Sequence, residues 1–402
     1  MRYYLGVDWA DQEHAVWVED ETGAPVTART LPHTAAGFAD CGRQLDAWRQ
    51  AGIELWAGIE RPEGRVVEFL LDHGVVVVPL NPKVAARTRE QFRPSAAKSD
   101  PLDARVCAYC VRTRQHEVEP LRPSSEAMQE LKLLTRDHQR LQRQHTRLLN
   151  QATVALKEYY PVVLEVFGDF GSVAAQNFVR AYPTPSDAGG MRRTTWEKFA
   201  RRYRLRPELW EQLHEPMLAV PPHVVRAKAR LVQNLLEQLA VVARQLRTSQ
   251  QEIERFFAAM PVARQVAPLP GSRSGVTLPS VWAEIGDAVQ RWRSAEHLQA
   301  VGGTAPVTQQ SGKMRVVHFR FACNKHLRHH AQLFAQTTLL HCEWARRYYR
   351  RQRERGHSHQ RALRALAGKW LKIFYVLLSR GVAYDEALHL KTIGQQAIRQ
   401  AA

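Results

Sequence analysis

The sequence predicts an α/β first domain, a helical and coiled-coil middle, and a mainly α C-terminal domain. Three observations carry this. Short apolar runs alternate with amphipathic stretches up to about residue 115, and long stretches of helical periodicity follow at Ser125 to Tyr159 and Val224 to Phe257. The third is charge: 57 Lys and Arg against 39 Asp and Glu give +18 within a composition that is 45% hydrophobic. A chain so rich in apolar residues folds, so the surplus lies on structured surfaces and implies a polyanionic partner. With 402 residues there is room for two or three domains, expected at 1–158, 159–258 and 259–402.

Tyr3 to Val7 is a short apolar strand ending in Asp8. His14 to Val18 and Val26 to Leu31 supply two more. Thr34 to Arg49 is helical, with Phe38, Cys41, Leu45 and Trp48 on one face. Ile53 to Ile59 is a strand running into Glu60, Val66 to Leu71 a short helix, and Val75 to Leu80 a strand apolar enough to be buried on both faces. A last helix starts at Asp100, with Pro101 suited to its first turn and Leu102, Val106 and Tyr109 on one side. The predicted order is β-β-β-α-β-α-β-α.

Ser125 to Tyr159 reads as a long basic amphipathic helix, and the stretch from Gly168 to Pro222, broken by Pro183, Pro185, Gly189 and Gly190, as irregular. Val224 to Phe257 carries Leu231, Leu235, Leu239, Val242 and Leu246 at a spacing suited to pairing chains. Beyond it come two loops, Ala267 to Gly275 and the glycine-rich Val301 to Gly312, and then basic helices with eleven Lys or Arg and two acids between Glu343 and Arg380.

The acids of the first domain are the first candidate site. Asp8 and Glu60 end strands, and Asp100 and Asp103 sit three apart on one helix face. If the first strand is central and the fourth lies beside it, the four carboxylates converge at one sheet edge. Such a cluster repels itself unless cations fill it, and Mg²⁺ or Mn²⁺, which prefer oxygen ligands, can clamp a phosphodiester there. The second candidate is a serine nucleophile. Ser311 stands beside Gly312, with Lys313, Arg315, Arg320, Lys325 and Arg328 following to neutralise a phosphate. Ser272 and Ser274, in a proline-glycine loop ahead of a helix, compete on similar grounds, and residue chemistry does not choose among the three.

Arg136, Arg140, Arg143 and Arg147 on the long basic helix are candidate phosphate contacts. Cys107 and Cys110 have zinc-like spacing inside a helix but no second pair, which favours buried thiols. His326, His329 and His330 suggest a solvated or DNA-facing helix. Trp344, Tyr348, Tyr349, Trp370 and Tyr375 have the spacing of core residues as much as of base-stacking ones. No apolar run of 18 residues, signal peptide or Walker A motif is present, so an intracellular, cytoplasmic protein with no membrane partner and no ATP-driven step is expected.

The sequence resembles the insertion-sequence 110 family of DEDD-type transposases, bridge-RNA-guided serine recombinases. The matching motifs are Gly6-Val7-Asp8, Gly58-Ile59-Glu60, Lys98-Ser99-Asp100-Pro101-Leu102-Asp103, Leu269-Pro270-Gly271 with Ala283-Glu284-Ile285-Gly286-Asp287, Gly303-Thr304-Ala305-Pro306-Val307-Thr308, Gln310-Ser311-Gly312-Lys313 and Ala322-Cys323-Asn324-Lys325-His326-Leu327-Arg328. The resemblance implies an RNase H-like (RuvC-like) N-terminal domain with metal ligands at Asp8, Glu60, Asp100 and Asp103. It also implies a C-terminal transposase domain whose nucleophile is Ser311. Further implications are a phosphoserine intermediate on double-stranded donor and target DNA, a structured guide RNA, a composite site in a homodimer that assembles to a tetramer, and nucleoid association during the reaction. The alternative is a RuvC-like metal-dependent nuclease or junction resolvase in which the acids act without a covalent intermediate.

Overall fold

The computed structural model describes residues 1–93, 99–114, 119–271, 275–312 and 314–391, arranged in two compact units, Met1–Pro123 and Ser124–Ala402. The helix Glu126–Tyr159, assigned from sequence to the first domain, therefore belongs to the second unit. The expected boundaries at 158 and 258 both fall inside that unit.

In the first unit the strands β1 (Arg2–Asp8), β2 (Glu13–Glu19) and β3 (Pro25–Pro32) are followed by α1 (Ala35–Gln50), β4 (Glu54–Ile59), α2 (Arg65–Asp72) and β5 (Val76–Pro79). Two helices close the unit, α3 (Pro82–Phe92) and α4 (Asp100–Arg114). The sheet order is β3-β2-β1-β4-β5, so β1 is central, antiparallel to β2 and parallel to β4. Leu5, Val7, Val16 and Val18 face a core completed by Cys41 and Leu45 of α1 and Val66 and Leu70 of α2. Tyr4 and Val78 face the opposite core, filled by Leu102, Val106, Cys107 and Cys110 of α4.

The one element missing from the predicted order is α3. Its core-facing side holds Val84, Ala85 and Phe92, but Thr88 and Arg89 are buried among them and break the apolar stripe that would mark a helix. Asn81 caps it, accepting from the Lys83 N–H, and Pro82 opens its first turn.

Two glycines set the layer spacing. Gly6 and Gly58 are register partners on β1 and β4, and α4 crosses directly over them. A Cβ at Gly6 would lie 1.7 Å from the Ala104 carbonyl oxygen, and one at Gly58 2.6 Å from that of Cys107. Only residues without a side chain let the helix come this close to the sheet.

The second unit opens with α5 (Glu126–Tyr159). The stretch read as irregular holds five short helices, α6 (Val162–Phe167), α7 (Val173–Ala181), α8 (Pro185–Gly189), α9 (Arg193–Tyr203) and α10 (Leu209–Leu213). They enclose a core around Phe178 and Trp196. Helix α11 (Pro222–Ala259) then runs back along α5. Lys228 Nζ meets Glu158 Oε2 at 2.5 Å and the His138 ring meets Ser249 at 3.2 Å, which places the start of each helix against the end of the other. Leu235, Leu239 and Val242, expected to pair chains, are buried instead against α5 and the short helices of the same chain.

The remaining elements are α12 (Pro261–Val266), α13 (Thr277–Ile285), α14 (Ala295–Val301), the hairpin β6 (Val307–Ser311) and β7 (Met314–His318), α15 (Lys325–His341), α16 (Glu343–Glu354) and α17 (His359–Arg380). The glycine-rich stretch up to Gly312, read as a loop, thus ends in a β-strand. Trp344 and Trp370 are buried in this unit's core, with Tyr348, Tyr349 and Tyr375 packed against it. No described helix is long and apolar enough to cross a membrane.

Candidate functional site

The parallel pairing of β1 with β4 brings Val7 opposite Ile59, so the strands end side by side and the next residues, Asp8 and Glu60, emerge together. Helix α4, admitted by Gly6 and Gly58, carries Asp103 and Asp100 to the same edge on its first turn. Asp8 reports the result. Burial first, then the negative charges of Asp103, Asp100 and Glu60, push its carboxyl up from an ordinary 3.8 to about 6, against the opposing pull of Arg89. The four acids predicted from sequence are thus brought within electrostatic reach of one another.

Arg89 is the group that sequence reasoning missed. Its guanidinium is 9% exposed, bonds Asp103 through Nε and lies 3.8 Å from Glu60 Oε1 through Nη2. The signal that would have found it was the Asn81-Pro82 helix start. Among the described residues no three His, Cys, Asp or Glu side chains close on one point as a ready chelate. The donor set nonetheless suits a hard cation: four carboxylates, one of them resisting ionisation because it is partly buried among the negative charges of the other three. Cys107 and Cys110 are buried in α4 as free thiols, with Cys110 Sγ 3.4 Å from Thr88 Oγ1.

In the second unit Ser311 is the last residue of β6, paired with Met314 across a turn in which Gly312 has φ 54°. Ser311 is exposed, and so are Thr308 through Gln310 on its own strand and Val316 through His318 on the facing one. The root of the hairpin is tightly held. Phe319 lies beneath two guanidiniums, Arg328 at 4.9 Å and Arg364 at 4.6 Å. Arg320 Nε donates to the Ala305 carbonyl at 3.1 Å, and the Asn324 N–H to that of Val301 at 2.7 Å.

Both groups of residues lie in stretches that match known transposase families. Residues 5–161 match the sequence model for DEDD-type IS110 proteins, described as "Transposase", and residues 264–350 match "Transposase IS116/IS110/IS902 family". Over 95% of both chains the sequence is 30% identical to the "Mini-circle putative transposase for IS117" of Streptomyces coelicolor. The chain belongs to the IS110/IS116 family of transposases. It is also 34% identical to the "Putative transposase y4uE" of Sinorhizobium fredii over 50% of this chain and 57% of that one. With the "Insertion element IS110 uncharacterized 43.6 kDa protein" of Streptomyces coelicolor it shares 27% identity over 76% of this chain and 77% of the other.

Several basic residues of this transposase depart from the roles expected of them. Arg136 does not face solvent as a phosphate contact; its Nε and Nη2 grip the Glu284 carboxylate at 2.7 and 3.1 Å. Burial alone would push Glu284 up, but Arg136 and the Asn324 amide at 2.7 Å outweigh it and hold the carboxyl below its ordinary range. Arg320 and Arg328 spend donors on the Ala305 and Arg320 carbonyls, which makes them posts of the hairpin root. His330, expected on a solvated face, is buried, and that burial pushes its ring down to about 3; His326 bonds Gln139 of α5 at 2.5 Å.

Arg140 pairs with Asp137 at 2.5 Å on an exposed face. Arg143, Arg147 and Lys228 line a groove of about 1220 Å³ between α5 and α11, above an apolar floor that includes Leu231 and Leu235. His329 reaches the same groove, and Lys325 is exposed at the start of α15. Ser272, Ser274 and Lys313 lie outside the described residues, as does Lys98 of the motif before Asp100. Arg315 pairs through its backbone with Gln310 in the hairpin.

Proposed function

We propose that this transposase cuts and rejoins DNA through a covalent phosphoserine on Ser311, assisted by Mg²⁺ or Mn²⁺ held by Asp8, Glu60, Asp100 and Asp103 in an RNase H-like domain. The observation that carries the reading is the convergence of three carboxylates, Glu60 at the end of β4 and Asp100 and Asp103 of α4, on Asp8 at the end of β1. A bound divalent ion would supply positive charge to a phosphodiester oxygen as the bond polarises. Ser311, exposed at the end of β6, is free to meet a phosphate approaching from solvent. Its Oγ–P bond forms as the P–O bond to a deoxyribose oxygen breaks, and that oxygen takes up a proton. A deoxyribose hydroxyl of another strand then reverses the step, so the phosphodiester is exchanged without hydrolysis.

In this reading the exposed cations of α5, Arg140, Arg143 and Arg147, hold nucleic acid backbone, and a structured guide RNA pairs with donor and target duplexes. Two chains share each site as a homodimer, and two dimers assemble on the DNA. Hydrolysis at the carboxylates alone is the competing chemistry, because such a cluster needs no serine to cut.

Denaturing electrophoresis after incubation with nicked suicide DNA separates the two. A protein-DNA adduct is expected from the wild type and is lost in Ser311→Ala, which leaves stability within about 0.5 kcal/mol because the residue is exposed. Cutting retained in Ser311→Ala without any adduct refutes the serine mechanism. RNA guidance is read from protein purified without nuclease: one defined RNA should copurify, and its removal should abolish DNA selection.

A further inference from the structure

Arg89 is a buried cation inside the acidic cluster, and its placement has consequences for metal loading. It comes from α3, a different element from any of the four acids, and its planar fork spans two of them, Asp103 and Glu60. The side chain is 9% exposed, so solvent screens little of its charge. Four carboxylates and one guanidinium leave a formal charge of −3 with every group ionised. The guanidinium is hydrogen-bonded to Asp103 Oδ1, one of the carboxylate oxygens that a cation would need.

Resting on the metal reading above, we propose that Arg89 is a built-in counter-ion that competes with the divalent cation for Asp103 and Glu60. It holds the metal-free unit together against the repulsion of its own carboxylates, and it weakens cation binding until the guanidinium swings away. The carboxylate cluster is thereby stable before loading, and the metal must displace a tethered competitor rather than enter an open cage.

The test is Mn²⁺ binding to the full chain without DNA, followed by electron paramagnetic resonance of the free ion, for the wild type, Arg89→Lys, Arg89→Gln and Asp103→Asn. Arg89→Gln removes the competing charge and is expected to bind Mn²⁺ at least about tenfold more tightly, or ~1.4 kcal/mol. Arg89→Lys keeps the charge but loses the fork that spans two carboxylates, so it should fall between Gln and the wild type. In EDTA, Arg89→Gln should melt below the wild type, with Mn²⁺ restoring the difference; should it not fold without metal, Arg89→Lys still tests the order. Equal or weaker Mn²⁺ binding in either Arg89 variant overturns the counter-ion role while leaving the metal reading intact. Mn²⁺ binding by neither the wild type nor the variants, or binding that Asp103→Asn does not weaken, overturns the metal reading itself.

Discussion

Replacing Asp8 by Asn should stabilise the metal-free protein, and by an amount that depends on pH. The Asp8 carboxyl stands at about 6 in the fold against an ordinary 3.8, because burial and three neighbouring acids disfavour its charged form. A carboxyl raised in this way binds its proton more tightly folded than unfolded, so it subtracts stability once it must ionise. The cost is absent below 3.8, where both states are protonated, grows as pH rises between 3.8 and 6, and is fully present above 6. The rise from 3.8 to about 6 corresponds to ~3 kcal/mol, and because Asp8 is only half-buried, solvent screening reduces this to about 1–2 kcal/mol.

The variant carries no charge to bury, so its advantage over the wild type should rise from near zero at pH 4 to that value at pH 7.5. Urea unfolding in EDTA, read by hydrogen-exchange mass spectrometry on the β1 and α4 peptides, reports the first unit separately from the second. Saturating Mg²⁺ should reverse the order, since the wild type gains binding energy that Asp8→Asn has lost. A difference between the two proteins that stays flat between pH 4 and 7.5, or an Asn variant less stable throughout, refutes the convergence of the acids on Asp8.

Gly6→Ala should cost about 3 kcal/mol or more, because the new methyl meets helix backbone that has nowhere to go. Gly189→Ala, with nothing within 4 Å of the added Cβ, should be nearly silent in the same denaturation assay. In the second unit Arg136→Ala should cost about 3–5 kcal/mol by stranding the buried Glu284 carboxylate. Arg143→Ala and Arg147→Ala should leave the melting temperature alone and each lower the salt dependence of DNA binding, log K against log salt, by about one. An Arg136→Ala protein as stable as the wild type, or an unaltered salt slope in the other two, contradicts these assignments.

The strands β1, β4 and β5 were legible because buried parallel strands are continuous apolar runs, and α1 because Cys41 and Leu45 recur on one face. The acids were legible by position, each at the end of a strand or the start of a helix. Elements without an unbroken apolar side escaped: α3, whose Val84, Ala85 and Phe92 are interrupted by buried Thr88 and Arg89, and the hairpin around Ser311, whose strands are exposed along most of their length. The arginines of α5 could not be sorted locally. Arg136 and Arg140 lie one helical turn apart in the same basic stretch, yet one grips Glu284, 148 residues away, and the other faces solvent.

The sequence by itself determined the strands and the helix that position the four acids, and the family the chain belongs to, since apolar period, turn residues and short motifs are local properties. Tertiary structure alone decided which charges are free. Whether an arginine binds a phosphate, braces a hairpin root, fills a carboxylate cluster or neutralises a buried acid depends on what the fold sets opposite it. Heptad leucines likewise bury a seam whatever their partner, and only the reversal of the chain between α5 and α11 made that partner the same molecule.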